Sequence, residues 1–329
     1  MNIANKQAVF SSMKISILLC FSLLIFLSTA AFGFAANCGG TVPCSCGDTV
    51  ITNTILDTAK DPVVTTVCSG DGLIVATGVT LDLGGNTIRG SLNREGIQIG
   101  KAASDINIKN GRVEGFYQGV KGLDVNSVTV TNIFSTKNRY FGIVLKGNNH
   151  RIENSIAVEN GGRGMRIKGP NAIFVNNNSS RNGGYGFNVI GDNAVIKNNT
   201  CDDNGSDGIH VDGDDNLFED NECRGNERHG IVTDDAINSV FRNNIVERNN
   251  FGFSILGNGG HLLEGNIANK NRGFGIYVRA PRNTLINNIA NKNGQSGIKV
   301  AGGENVDGGG NDATGNKKEQ CMIDGVACI

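Results

Sequence analysis

A glycine followed by alternating apolar residues recurs through most of the chain. Its positions, 22 or 23 residues apart each time, are Gly96, Gly119, Gly142, Gly164, Gly186, Gly208, Gly230, Gly252, Gly275 and Gly297. The residues one and three places later are mostly apolar, as in Ile143 and Leu145, and this alternation marks a short strand with one buried face. A coil this short cannot bury its apolar face alone, so the pattern predicts stacked coils that share a core.

Asparagines recur at two further positions of the repeat. Paired amides stand at Asn176-Asn177, Asn198-Asn199, Asp220-Asn221, Asn243-Asn244 and Asn287-Asn288. A single asparagine recurs at Asn138, Asn160, Asn182, Asn204, Asn226, Asn249, Asn271, Asn293 and Asn316. Asparagine tolerates the left-handed backbone of a tight turn, and its amide can donate to one neighbouring coil and accept from the other. The columns therefore predict side-chain ladders that satisfy turn backbone which would otherwise be buried without partners.

These repeats predict an all-β chain folded as a right-handed, single-stranded parallel β-helix, a solenoid of about ten coils of 22–23 residues plus N-terminal coils. Right-handedness follows from the strong preference of parallel crossover connections. The leucine framework of leucine-rich repeats is absent, and propeller blades need about 40 residues and antiparallel hairpins. We expect an N-terminal cap with the first coils over 36–95, the regular repeats over 96–316 and a C-terminal tail over 317–329.

The N-terminus predicts export. Lys6 and Lys14 precede an apolar run from Ile15 to Leu27, and small residues follow as far as Ala36. This pattern is typical of a signal peptide, here residues 1–35, and the run is short for a membrane span. No later stretch approaches membrane length. We therefore expect a secreted or periplasmic monomer with no membrane span after signal removal.

Cysteine usage fits an oxidising compartment. Loss of Cys20 with the signal leaves an even number, namely Cys38, Cys44, Cys46, Cys68, Cys201, Cys223, Cys321 and Cys328. The first four predict a bond from Cys38 to one of Cys44 and Cys46 and from Cys68 to the other, and the last two close the C-terminus. Cys201 and Cys223 occupy the same small inward position in adjacent coils, where either a disulfide or two buried thiols would fit.

Outward positions of the first strand fall two and four residues after each glycine. The first column is Gln98, Lys121, Val144, Arg166, Asn188, His210, Val232, Ser254, Tyr277 and Lys299, and the second is Gly100, Leu123, Lys146, Lys168, Ile190, Asp212, Asp234, Leu256, Arg279 and Ala301. Such a strip, on the order of 45 Å long at strand spacing, suits a polymer. We expect the other histidines, His150, His229 and His261, in surface turns. The net charge of −1 and the lack of a basic domain argue against a nucleic-acid partner.

The architecture resembles the pectin-lyase-like superfamily of right-handed parallel β-helices, in particular its secreted proteins with generic parallel β-helix repeats. The resemblance spans about residues 72–316 and includes Gly78–Ile88, which looks like the opening coil of such proteins. It implies binding or processing of polyuronides on the outer strand face. The motifs of individual families are incomplete: Arg166-Ile167-Lys168 precedes Asp202-Asp203, which is the wrong order for a polygalacturonase, and no Asp-Pro-His-Glu of mannuronan epimerases occurs.

A lyase or epimerase acting on an acidic polysaccharide is the first functional hypothesis. Uronate chemistry needs a base to remove the proton beside the carboxylate and a cation to neutralise that carboxylate. The candidate catalytic residues are His210, Tyr277 and Arg166, the candidate substrate-binding residues are Lys146, Lys168 and Arg279, and the candidate ligands for Ca²⁺ are Asp212, Asp214 and Asp234. The alternative is a non-catalytic glycan-binding or structural module outside the cell, because constant coil length offers no inserted loop to hold an active site.

Overall fold

The computed structural model describes residues 36–328. The predicted signal peptide therefore lies outside the described residues. Within them the only helix is a single 3₁₀ turn at Pro62–Val64, and no helix is long and apolar enough to cross a membrane. Nearly all regular structure consists of short strands, arranged in two long sheets and one small sheet.

Each coil contributes one strand to sheet 1 and one to sheet 2. Sheet 1 runs, in spatial order, through Asn37–Cys38, Asp48–Val50, Leu73–Val75, Glu95–Ile99, Gln118–Leu123, Phe141–Lys146, Met165–Lys168, Phe187–Ile190, Ile209–Asp212, His229–Ile237, Phe251–Gly259, Ile276–Arg279, Ile298–Ala301, Cys321–Ile323 and Val326–Ala327. Apart from the last, antiparallel pair, neighbouring strands of sheet 1 are parallel.

Sheet 2 is also parallel. Its main path is Thr54–Ile55, Thr80–Asp82, Ser104–Glu114, Asn126–Thr136, Arg151–Glu153, Ile173–Val175, Val195–Lys197, Leu217–Glu219, Val240–Arg242, Leu262–Glu264, Thr284–Ile286 and Val306–Asp307, with Val67–Cys68, Thr87–Gly90 and Ile156–Val158 paired beside it. Glu222–Arg224 and Ile245–Glu247 form the small third sheet. The predicted all-β parallel solenoid is confirmed.

The repeated glycine is required by a close approach between coils. A Cβ atom on Gly208 would lie 2.6 Å from the carbonyl oxygen of Gly230 and 2.8 Å from the side-chain nitrogen of Asn226. The residue after each glycine points into the core, where large side chains such as Phe187 and Phe253 are fully buried. Glycine therefore recurs at the position of each coil where the backbone packs directly against the asparagine ladder and the next coil.

The asparagine ladder has the predicted geometry. In one rung, Asn204 Oδ1 accepts the backbone N–H of Asn182 at 3.0 Å, while Asn204 Nδ2 donates to Ser179 O in the preceding coil and to Asn226 Oδ1 in the following one, both at 3.0 Å. Equivalent rungs run from Asn138 to Asn316, and their side chains are buried. Each rung thus satisfies backbone groups that water cannot reach.

The two residues of each amide pair have different roles at a second corner of the coil. The first member takes the left-handed backbone, with φ 57° at Asn176 and 54° at Asn198. The second member is a buried rung: Asn199 Oδ1 accepts the N–H of Asn177, and Asn199 Nδ2 donates to Phe174 O. Asparagine suits both positions because it adopts αL at low cost and carries a donor and an acceptor.

Two histidines lie where the sequence analysis did not expect them. His150 and His261, predicted on the surface, are 0% and 1% exposed. His150 Nδ1 accepts the backbone N–H of Val128 at 3.3 Å, and His261 Nδ1 accepts that of Ser239 at 3.1 Å. They are rungs of a third side-chain ladder, in which Asn283 Oδ1 accepts the backbone N–H of His261. The turn is buried because coils above and below cover it, so a turn position does not imply exposure in a solenoid.

The disulfides settle the open pairings. Cys38 bonds Cys44, Cys46 bonds Cys68, and Cys321 bonds Cys328. Cys201 and Cys223 are also bonded to each other, with Cα atoms 4.6 Å apart in adjacent coils. Three of the four bonds therefore close the two ends of the solenoid, and one lies inside it.

Removal of one ladder rung should be costly. In Asn204→Ala the N–H of Asn182 and the carbonyl of Ser179 lose their buried partners, and each orphaned group costs about 1–3 kcal/mol. We expect a loss of at least ~2 kcal/mol in the free energy of unfolding, measured by denaturant titration. Asn148→Ala, at an exposed turn position, is the control and should change stability by less than about 0.5 kcal/mol. Equal effects of the two substitutions would contradict the ladder's role.

Acid should destabilise the fold through His150 and His261. Burial lowers the pKa of each to about 4 from the ordinary 6.5. Between those pH values the unfolded chain binds more protons than the folded one. The free energy of unfolding therefore decreases as the pH is lowered from about 6.5 to about 4, by up to ~3 kcal/mol per histidine. In the double variant His150→Asn and His261→Asn, the asparagine side chains keep a hydrogen-bond acceptor but have no group that titrates in this pH range. The stability of this variant should therefore depend less on pH than that of the unmodified protein. Denaturant titrations at several pH values test this, and identical slopes would contradict it.

Candidate functional site

The two predicted outward columns lie on the outer face of sheet 1. Pairing across its strands places in one line Val144, Arg166, Asn188, His210, Val232, Ser254, Tyr277 and Lys299. The second line brings Lys168, Ile190, Asp212 and Asp234 into neighbouring register. The sequence therefore predicts correctly which residues share this face.

A third column, which the sequence analysis did not consider, stands beside them. It consists of the residue immediately before each repeated glycine: Glu95, Gln118, Phe141, Arg163, Tyr185, Asp207, His229, Phe251, Phe274 and Ser296. Contacts with the first outward column place these side chains on the same face, for example Tyr185 against His210 with ring centroids 4.9 Å apart and Phe274 against Tyr277 at 4.8 Å. We call this the flanking column. It shields part of the face, since Asn188 and Val232 are only 2% and 3% exposed.

Asp207 of the flanking column joins two histidines from successive strands. Its side chain is 1% exposed and accepts hydrogen bonds from His210 Nδ1 at 3.2 Å, from His229 Nδ1 at 2.9 Å and from the backbone N–H of His229 at 3.0 Å. Burial opposes ionisation of Asp207, but the hydrogen bonds from both histidines outweigh it and hold its pKa well below the ordinary value. As the carboxylate only accepts, Nδ1 of each ring carries a proton, and in the neutral ring Nε2 is left with the lone pair.

His210 lies between two carboxylates. Its Nε2 is 3.3 Å from Asp212 Oδ1, on the side opposite Asp207. Burial lowers the pKa of His210, yet the hydrogen bond with Asp207 and the charges of Asp212 and Asp234 outweigh that effect, so the pKa is raised overall. Donor atoms of His210, Asp212 and Asp234 all lie within 4.8 Å of one another. Within residues 36–328 this is the one group of three or more histidine, cysteine, aspartate or glutamate side chains whose donor atoms approach so closely.

Cationic and aromatic side chains adjoin this group on one side. Arg163 stacks over the ring of Tyr185 at 4.9 Å and faces that of Phe141 at 5.7 Å. Burial, together with the charge of Arg163, lowers the pKa of Arg166. Among the eight buried side-chain atoms of residues 36–328 that have no hydrogen-bond partner, two belong to register neighbours beside this group, the Nε of Arg166 and the Oδ1 of Asn188. Unpaired polar atoms on a surface of this kind are suited to a polar ligand.

Aromatic side chains adjoin the group on the other side. His229 stacks with Phe251 at 5.4 Å, and Phe251 with Phe274 at 6.2 Å. With Ser254 and Tyr277 they line a shallow cavity of about 240 Å³. His229 was predicted to lie in a surface turn. It is instead half-buried at the start of the strand His229–Ile237, because the residue before the glycine already belongs to the sheet.

The remaining candidate residues lie apart from His210. Tyr277 is three strands away, about 14 Å at strand spacing, and Arg279 lies beside it on the same strand. Lys146 forms an ion pair with Asp124 at 2.6 Å, and Lys168 is exposed two strands from Asp212. Asp214 is in the following turn, where its Oδ1 accepts the N–H of Ile237 at 3.0 Å. The structure thus brings together His210, Asp212 and Asp234, adds Asp207, and leaves Asp214 outside the group.

Known proteins resemble the chain in fold. Residues 79–245 match the family described as periplasmic copper-binding protein (NosD), and residues 186–328 match the right handed beta helix region. These matches confirm the predicted right-handed β-helix. No curated protein sequence matches significantly.

Solved structures give the same result. The A-module of the mannuronan C-5 epimerase AlgE4 of Azotobacter vinelandii is 18% identical, with a TM-score of 0.56 over 85% of this chain and 88% of that one. The periplasmic alginate epimerase AlgG is 15% identical, with a TM-score of 0.52 over 78% and 72%. The catalytic domain of a GH87 α-1,3-glucanase with nigerose is 13% identical, with a TM-score of 0.55 over 84% and 62%. At these identities the likeness concerns the fold.

Proposed function

We propose that this chain binds and processes an acidic polysaccharide on the outer face of sheet 1. It belongs to the family described as periplasmic copper-binding protein (NosD), whose model matches just over half of its 329 residues. The reaction we assign to it is proton abstraction beside a uronate carboxylate, as in a lyase or an epimerase. Two of its structural neighbours are named for epimerases of mannuronan or alginate, which supports an acidic polysaccharide, and a third is named for a glucanase, which supports a polysaccharide more generally.

The observation that carries the proposal is the buried Asp207 carboxylate that orients His210 in the middle of a polymer-sized strip. The strip extends over seven strands of sheet 1, from Phe141–Lys146 to Ile276–Arg279, or about 30 Å at strand spacing. Cationic groups lie at one end, the two histidines in the centre and aromatic rings towards the other end. A glycan has both anionic groups and apolar faces, so such a strip offers complementary contacts to several sugar units at once.

His210 is the proposed base. Asp207 holds Nδ1–H, which leaves Nε2 to accept the proton bonded to the carbon beside the carboxylate. The electron pair left on that carbon delocalises into the carboxylate, and Arg166 supplies the compensating positive charge. In a lyase the pair then forms a carbon–carbon double bond as the glycosidic C–O bond breaks, and the leaving oxygen takes up a proton. In an epimerase a proton returns to the opposite face of the same carbon.

The remaining candidates are assigned to binding. Lys146, Lys168 and Arg279 carry positive charge along the second outward column and would pair with carboxylates of neighbouring sugars. Tyr277, first considered as a catalytic group, is three strands from His210 and lines the aromatic cavity, so we assign it to sugar contact. Four disulfides in the described residues support a place outside the cytoplasm.

A non-catalytic glycan-binding module is the second candidate. The coils between Gly96 and Gly297 keep a length of 22 or 23 residues, so no inserted loop covers His210 or excludes water from it. Enzymes of this kind commonly carry such loops around the reacting group. Under this alternative the strip retains the polymer without changing it.

Incubation with a panel of uronate polymers tests the proposal. Turnover is read as the ultraviolet absorbance of an unsaturated product for a lyase and as the change in uronate composition by NMR for an epimerase. Retention is read separately by affinity electrophoresis. His210→Gln should lower turnover by about 10²–10⁴-fold and leave retention intact, since it removes only the proton acceptor. Arg166→Gln should weaken both.

Lys299→Gln provides the matched control. Lys299 stands in the same column as His210 but four strands away, outside the seven strands from Phe141–Lys146 to Ile276–Arg279. Turnover and retention should therefore be unchanged. Retention without turnover would favour the non-catalytic module. Neither retention nor turnover on any polymer, or turnover that survives His210→Gln, would contradict the proposed enzyme.

A further inference from the structure

The outer face of sheet 2 carries a run of aliphatic side chains. Outward and inward residues alternate along its strands, so the first and third residues of a three-residue strand point away from the core. The first outward residue is aliphatic in five consecutive coils, namely Ile173, Val195, Leu217, Val240 and Leu262. The same position holds Arg151 in the coil before this run and Thr284 in the coil after it. We call the five aliphatic residues the aliphatic stripe.

The aliphatic stripe lies at the surface, although its composition is that of a core. The inward residues of the same strands, such as Phe218 and Phe241, are 0% exposed, whereas every member of the stripe is partly exposed in the part of the chain that the structure describes. The outward columns of sheet 1 mix charged, polar and apolar residues over the same coils. On soluble proteins a contiguous apolar surface with a polar border marks a site of interaction.

A ladder of alternating charge runs beside the aliphatic stripe. It consists of the second outward residue of four consecutive strands, Lys197, Glu219, Arg242 and Glu264. Within the chain Glu219 forms ion pairs with Lys197 and, at 3.7 Å, with Arg242, and Arg242 Nε lies 3.0 Å from Glu264. Along the solenoid the signs are therefore plus, minus, plus and minus. Apolar residues, Val175 and Ile286, stand next to the two ends of the ladder.

The order of these charges is complementary to a second copy of the same face. A two-fold dimer uses one patch on both subunits, so the patch has to be complementary to itself. A two-fold axis that lies in the face, parallel to the strands and midway between Leu217–Glu219 and Val240–Arg242, turns one solenoid antiparallel over the other. Each column of one copy then faces the same column of the other copy in reverse order.

Opposite charges meet in this arrangement. Glu219 of one copy faces Arg242 of the other, and Lys197 faces Glu264. The aliphatic stripe faces itself in the neighbouring column. A two-fold axis along the solenoid would instead lay the charge ladder of one copy on the aliphatic stripe of the other, and charges that lose water without gaining a partner are costly. The side chains therefore favour the antiparallel arrangement.

The face is large enough for a stable dimer. The strands from Arg151–Glu153 to Val306–Asp307 are eight in number, four on each side of the axis, and they span about 34 Å at strand spacing. Six residues of each coil, from the turn before the strand to the corner after it, add a width of about 20 Å. The resulting flat area of about 700 Å² per copy is close to the ~800 Å² per partner of an ordinary specific interface.

We propose that the protein forms an antiparallel two-fold dimer through the outer face of sheet 2, with the aliphatic stripe at its centre and the charge ladder paired across it. This differs from the monomer expected from the sequence, where outward positions of the first strand alone were considered. Sheet 1 forms another face of each coil, so the strip around His210 stays free in both copies. The dimer does not depend on the polysaccharide function.

Sedimentation velocity of the mature protein, from low to high micromolar concentration, tests the proposal. We expect a dimer whose fraction rises with concentration. Leu217→Gln, beside the axis, should raise the dissociation constant by about 100-fold, because each dimer contains the substituted contact twice and loss of one central contact commonly costs about tenfold. Ile55→Gln is the matched control. Ile55 is an outward residue of the same sheet and is 67% exposed, but it lies outside the eight strands, so its substitution should leave the constant unchanged.

Charge-segregated variants test the antiparallel pairing itself. Lys197→Glu with Arg242→Glu makes the ladder wholly negative, and Glu219→Lys with Glu264→Lys makes it wholly positive. Each double variant should be monomeric alone, because like charges then face each other. An equimolar mixture should form heterodimers, read by native mass spectrometry, since opposite charges face each other again. Circular dichroism shows whether each variant is folded.

Several outcomes would overturn the proposed dimer. They are sedimentation as a monomer at every concentration, a dissociation constant that Leu217→Gln leaves unchanged or that Ile55→Gln raises equally, dimerisation of either charge variant alone, and a mixture of the two folded charge variants that stays monomeric. Absence of polymer turnover would leave the dimer intact and count against the proposed function alone.

Discussion

The structure depends on hydrogen bonds between asparagine side chains and the backbone at the corners of each coil. A solenoid with coils of 22 or 23 residues turns its backbone sharply, and those corners are buried by the coils on either side. Their N–H and C=O groups cannot bond within a strand, and each would cost about 1–3 kcal/mol if unpaired. Asn204 and its equivalents satisfy them from inside the solenoid. The repeat length, the recurring glycine of each coil and the alignment of the strands all keep these rungs in register.

That constraint also determines where chemistry can occur. Inward positions are taken by core and ladder side chains and the buried corner positions by rungs, so reactive groups stand at outward strand positions, in the flanking column and at exposed turn positions. On sheet 1 the outward and flanking columns meet, and there Asp207 binds two histidines from successive strands. Because successive coils repeat the same backbone, residues from different coils are placed side by side without any loop. A site of this kind is assembled from single side chains spaced about 4.8 Å apart.

Periodicity made the fold and the shared outer face predictable from the sequence. Contacts between residues at different positions of the repeat, such as those of Asp207 with His210 and His229, could not be predicted in this way. Arg166 and His210 could be placed in one column because their spacing is a multiple of the coil. Asp207 was missed because the position before each glycine was not considered, although the Asp207 side chain contacts His210 on the same face. His150 and His261 were misplaced because turns of ordinary domains are exposed, whereas these are covered by neighbouring coils. The glycine period, applied to the position immediately before each glycine, would have pointed to Asp207.

We propose that ligands bind along the outer face of sheet 1 around His210. Hydroxyl-radical footprinting with and without a uronate oligosaccharide tests it most directly, because labelling reports the exposure of individual side chains. We expect the oligosaccharide to protect Tyr185, His210 and Tyr277, while Phe134 on sheet 2, which lies against Arg112 at 4.4 Å, keeps its labelling. Protection of Phe134 with unchanged labelling of His210 would contradict it.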